Sequence, residues 1–121
     1  MSTRTERVSD LIRGEVARLI GTELRDPRIG FVTVTGADVS PDLKSVRVFI
    51  SVLGDEPARR AGLDALNHAA GFFRRSLFRN LRLRHAPEVL FIFDESLDRG
   101  DRIDRVLRSL RDQAAGADEE E

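Results

Sequence analysis

The sequence predicts a single α+β domain: a three-stranded sheet with helices packed on one face. Three observations predict it. Apolar residues recur at three- and four-residue steps in several blocks, as they do on the buried face of a helix. Three runs at 31–39, 44–53 and 89–93 are rich in β-branched or aromatic residues and read as strands. The order helix, strand, strand, helix, bend, helix, strand, helix leaves a small sheet whose helices gather on one side. A chain of 121 residues suits one such domain and can bury a core without staples.

Taken in order, Thr3-Arg4-Thr5-Glu6 matches a capping box, which satisfies free backbone donors at a helix start. Val8, Leu11, Ile12, Val16, Leu19 and Ile20 follow on one face, so a first helix runs from about Arg4 to Glu23. Asp26-Pro27-Arg28-Ile29-Gly30 is a loop, because proline disfavours helix at the residue before it. Phe31 to Val39 is the first strand. Ser40-Pro41-Asp42 is turn chemistry, and Lys44 to Leu53 is the second strand. Val46, Val48, Ile50 and Val52 lie on one face of it, and Arg47, Phe49 and Ser51 on the other.

Gly54-Asp55-Glu56-Pro57 breaks the strand pattern. A helix from Ala58 to about Ala70 carries Ala61, Leu63, Ala65, Leu66 and Ala69. Gly71 interrupts it, and helical spacing resumes from Phe72 to about Leu83. A helix-interior glycine costs about 1 kcal/mol relative to alanine, so Gly71 marks a bend or a close approach. Val89-Leu90-Phe91-Ile92-Phe93 is apolar on both faces, which predicts a strand that is central or covered on both sides. Ile103, Val106, Leu107 and Leu110 define a last helix. The folded domain is expected over 1–112, with 113–121 as a disordered acidic tail.

The chain has no cysteine, which removes disulfides, thiolate metal sites and cysteine nucleophiles. No apolar run approaches the roughly 18 residues of a membrane span. The start, Met1-Ser2-Thr3-Arg4, leads into a charged amphipathic segment rather than an apolar signal core, so a cytoplasmic protein with no membrane contact is expected. A monomer is expected as well. Seven Phe are the only aromatics besides two His, a poor supply for a stacking platform.

Charge is where the sequence is most uneven. The window Ala65 to Pro87 has no acidic residue and five arginines: Arg74, Arg75, Arg79, Arg82 and Arg84. The rest of the chain holds 15 basic against 21 acidic side chains, so a nearly neutral protein has concentrated positive charge in one place. On a helical wheel Phe73, Leu77 and Leu81 form the core stripe, and Arg75, Arg79 and Arg82 form a separate exposed stripe at i, i+4 and i+7. Arg74 lies on the flank and Arg84 just past the helix. Such a face matches phosphates along a nucleic-acid backbone. The alternative is a solvated face whose arginines pair with acids elsewhere in the fold.

Enzymatic chemistry finds little support. His68 and His85 are far apart in sequence. Asp94, Glu95, Asp98 and Asp101 could hold a hard cation, but helix caps and a solvated loop explain them as well. Ser76 has no neighbouring base, and no glycine-rich phosphate loop exists. No enzyme and no cofactor are expected.

Several segments together carry a resemblance. Asp26-Pro27-Arg28 precedes Val32-Thr33-Val34-Thr35, Val39-Ser40-Pro41-Asp42-Leu43 and Val48-Phe49-Ile50-Ser51-Val52. Leu81-Arg82-Leu83-Arg84, Pro87-Glu88-Val89-Leu90-Phe91 and Asp94-Glu95-Ser96 follow. In this order and spacing they resemble the ribosome-binding factor A family, small bacterial proteins of ribosome assembly, over about Arg4 to Leu110. The resemblance implies a type II KH-like fold with a kinked helix pair, and Ala69-Ala70-Gly71 matches the family's Ala-x-Gly kink. It also implies binding to the free 30S subunit, a role late in the maturation of 16S rRNA, support of growth in the cold, and no catalysis. A protein-interaction adaptor using the same arginine face for acidic partners is the competing expectation.

Overall fold

The computed structural model describes residues 3–24 and 26–96. The expected last helix and acidic tail lie outside the described residues. Six elements follow in order: α1 (Thr3–Thr22), β1 (Val32–Val39), β2 (Ser45–Val52), α2 (Glu56–His68), α3 (Ala70–Asn80) and β3 (Glu88–Phe93). Thr3 already lies within α1, so it is a helical residue rather than the cap that the Thr3–Glu6 pattern suggested.

β1 and β2 pair antiparallel, and β2 and β3 pair parallel, in the order β1-β2-β3. One extra residue on β1, Thr35, sits between the pairs Val34–Ile50 and Gly36–Phe49. Such a bulge bends a strand and re-aims its side chains. The Thr35 hydroxyl is 2.5 Å from Asp94 Oδ2, which ties β1 to the residue after β3.

The alternation expected along β2 is present. Val46, Val48, Ile50 and Val52 are buried, and Arg47 and Ser51 are exposed. The buried face meets Ile12, Val16 and Leu19 of α1, Leu66 of α2, and Phe73 and Leu77 of α3. Phe73 and Phe91 meet edge to face with ring centroids 4.9 Å apart. The helices thus cover one face of the sheet.

β3 departs from expectation. Among the described strands it is an edge, not the centre, and Leu90 is 51% exposed. A run apolar at every position does not distinguish these cases, because the strand alternates here after all: Val89 and Phe91 face the core.

α2 starts on Asp55, whose carboxylate accepts the Ala58 N–H at 2.9 Å, with Pro57 in the first turn. The break between α2 and α3 falls at Ala69 (φ −91°, ψ 13°), whose N–H reaches the Ala65 and Leu66 carbonyls. Gly71 is already inside the first turn of α3 and has no positive φ. A Cβ there would meet only the guanidinium end of Arg75, at 3.3 Å. The glycine at a close approach of elements is Gly62, where a Cβ would lie 3.4 Å from Val52 Cγ1.

Candidate nucleic-acid interface

α3 buries Phe73, Ser76 and Leu77, so Arg75 and Arg79, one turn apart, stand on its exposed side. Neither makes an ion pair among the described residues. Burial also removes Ser76 as a nucleophile open to solvent.

Arg82 does not lie on that stripe. α3 ends at Asn80, and Arg82 is left-handed at φ 53°. Leu81 N–H donates to the Leu77 carbonyl at 3.0 Å, and Leu83 N–H donates back to the Phe78 carbonyl at 3.3 Å, a Schellman-type end. The physical reason lies in Leu81 and Leu83, which both pack against the core. In a continuing helix they would point about 200° apart; one left-handed residue between them turns both inward. The spacing of i and i+7 therefore loses its meaning, and Arg82 projects from the loop, not the helix.

Arg74 is also placed differently. Its Nε donates to the Ala86 carbonyl at 3.2 Å, and its NH1 lies 3.5 Å from Glu88 Oε1. It braces the α3–β3 connection, the one arginine of the five for which pairing with a distant acid holds among the described residues. Arg82 and Arg84 are exposed and make no ion pair among those residues.

Sequence reasoning missed Arg4. It lies far from the arginine window, in the first turn of α1, yet it lines the same cavity of about 270 Å³ as Arg82 and Arg84. Nothing local in the sequence signals that convergence. Two acids elsewhere on the surface hold arginines outside this group. Glu15 accepts from Arg18 and, at 2.7 Å, from Asn80, which pins the end of α3 to α1. The Arg18 bonds, against the opposing effect of burial, hold the Glu15 carboxyl below its usual range. Asp26 is lowered in the same way by its bonds from Arg28.

No group of three or more His, Asp or Glu gathers as a metal site among the described residues. Asp98 and Asp101 of the acidic cluster lie outside them, and Asp94 is bonded to Thr35 and Ser96. No described helix is long and apolar enough to cross a membrane.

The αββααβ order, the mixed sheet and the helix pair broken at Ala69 define a KH-like protein of the second type. The ribosome-binding factor A family model matches residues 4–107. Ribosome-binding factor A of Desulforamulus reducens is 47% identical over 115 residues, covering 95% of this chain and 96% of that protein. The crystal structure of ribosome-binding factor A from Thermus thermophilus is 25% identical, with a TM-score of 0.65 over 73% of this chain and 93% of that one. A homology model of the Thermus thermophilus factor fitted into a cryo-EM map of a 30S complex is similar at a TM-score of 0.54 and 25% identity, over 70% of this chain and 93% of that one. The chain belongs to the ribosome-binding factor A family.

Proposed function

We propose that this protein is a non-catalytic assembly factor that binds the free 30S subunit and promotes late maturation of its 16S rRNA. The observation that carries the reading is a set of four arginines, Arg75, Arg79, Arg82 and Arg84, exposed on α3 and its following loop and free of ion pairs among the described residues. Exposed guanidinium groups without carboxylate partners suit the phosphates of an RNA backbone, which arginine binds in bidentate fashion. Arg74 assists by holding the loop that presents Arg82 and Arg84. The Ala69-Ala70-Gly71 break leaves an exposed, side-chain-free position at Gly71 where an RNA backbone can approach α3. Family membership and the relative fitted to a 30S complex support the choice of RNA.

Binding that favours one conformation of the immature subunit over another shifts the equilibrium between them, and no catalytic group is needed. A monomer acting in the cytoplasm fits this role. The test is gradient co-sedimentation with free small subunits and with joined ribosomes. Wild type is expected to travel with free 30S subunits, and an R75E/R79E variant is expected to stay near the top. With about four phosphates neutralised, log K falls against log salt with a slope of about −3. A flat salt dependence, or co-migration of the charge-reversed variant, rejects the interface. Retention after nuclease treatment would favour a protein partner instead.

A further inference from the structure

Two described residues other than glycine have positive φ, Leu43 at 62° and Arg82 at 53°. They come from different turns, yet both line the 270 Å³ cavity between the start of α1, the β1–β2 turn and the loop after α3. The cavity has two kinds of wall. Ile12, Val39, Leu43 and Leu83 give it an apolar floor, and Arg4, Arg82 and Arg84 give it a cationic rim with His85 beside them. None of the three arginines makes an ion pair among the described residues.

From this geometry we infer that the cavity holds a single unstacked ribonucleotide, with its base on the apolar floor and its phosphate on the arginine rim. The inference deepens the RNA-binding reading and rests on it. The volume lies just under the range of about 300–1,000 Å³ typical of small-molecule pockets, which suits one base and not a stacked pair. Sequence-specific RNA recognition targets unstacked bases that are splayed out and stacked on aromatic rings or arginine planes. Asp42 also lines the cavity, and its Oδ1 is occupied by the Ser40 hydroxyl and the Lys44 N–H. That carboxylate repels phosphate on its side of the rim and leaves the arginine side for it. His85 supplies a ring against which a base can stack. The site is separate from the exposed face of α3 that carries Arg75 and Arg79, since neither lines it.

The experiment is an amide chemical-shift titration of the full chain with the four ribonucleoside 5′-monophosphates, and with inorganic phosphate in parallel. Saturable shifts are expected at Leu43, Arg82, Arg84 and His85, larger for at least one nucleotide than for phosphate. Arg82→Gly should weaken the nucleotide at least about tenfold, the loss expected when a charged contact goes. It should also raise the melting temperature, because glycine suits the left-handed position. R75E/R79E should leave the nucleotide shifts in place while losing 30S co-sedimentation. Equal shifts with inorganic phosphate alone overturn the base pocket. Shifts absent from these residues, with wild-type co-sedimentation intact, overturn the pocket and leave the RNA-binding reading standing. Loss of co-sedimentation by wild type itself counts against that broader reading instead.

Discussion

Asn67 on α2 bonds both backbone groups of Phe91 on β3: its Nδ2 donates to the Phe91 carbonyl at 3.0 Å, and its Oδ1 accepts the Phe91 N–H at 2.8 Å. The N–H groups of Glu88 and Asp94 bond toward the β1–β2 side, to the Lys44 and Ile50 carbonyls. Even-numbered residues of β3 therefore face β2, and Phe91 presents its polar groups to the open edge. Among the described residues, where no strand pairs that edge, one amide side chain takes the place of a strand partner at Phe91.

Asn67→Ala is expected to destabilise the fold by about 1–3 kcal/mol, because it leaves two part-buried backbone groups unpaired. Urea denaturation measures this. An unchanged midpoint would mean that water replaces the amide without penalty.

Gly71→Ala should keep the fold and stabilise it by up to about 1 kcal/mol, since Gly71 lies in helical backbone with only the flexible end of Arg75 nearby. The same variant should bind 30S subunits more weakly, because the methyl group stands where RNA backbone would approach. Thermal melts and co-sedimentation separate the two effects. A large loss of stability would show that the bend itself needs glycine.

Glu15 predicts an acid-dependent difference. Its pKa is held down in the folded state, mainly by the Arg18 bonds, so its contribution is full above the ordinary glutamate value of about 4.3. Protonation during acidification removes that contribution as pH falls through the folded value. Wild type should therefore exceed Glu15→Gln in stability at neutral pH, and the gap should narrow in acid below about pH 4. Paired denaturation curves across that range check the sign. A gap that stays constant or widens in acid contradicts it.

The elements were largely legible because burial imposes a period on the chain. Val46, Val48, Ile50 and Val52 alternate, and Ile12, Val16 and Leu19 recur at helical steps, whatever they pack against. The chain end of α3 was not legible. Leu81 and Leu83 fit a continuing helical pattern as well as they fit a turn, and only their joint docking on the core selects the turn.

By itself, then, the sequence determined the α+β class, the strand faces and the concentration of positive charge, since all of these follow from local periodicity and composition. Tertiary structure alone decided that Arg82 leaves the helix, that Arg74 is spent on Glu88, and that Arg4 joins Arg82 and Arg84 around one cavity. It also decided that β3 is an edge among the described strands and that Asn67 pairs the outward polar groups of Phe91. These outcomes depend on which surfaces meet across long stretches of chain, and no period within a single segment carries that information.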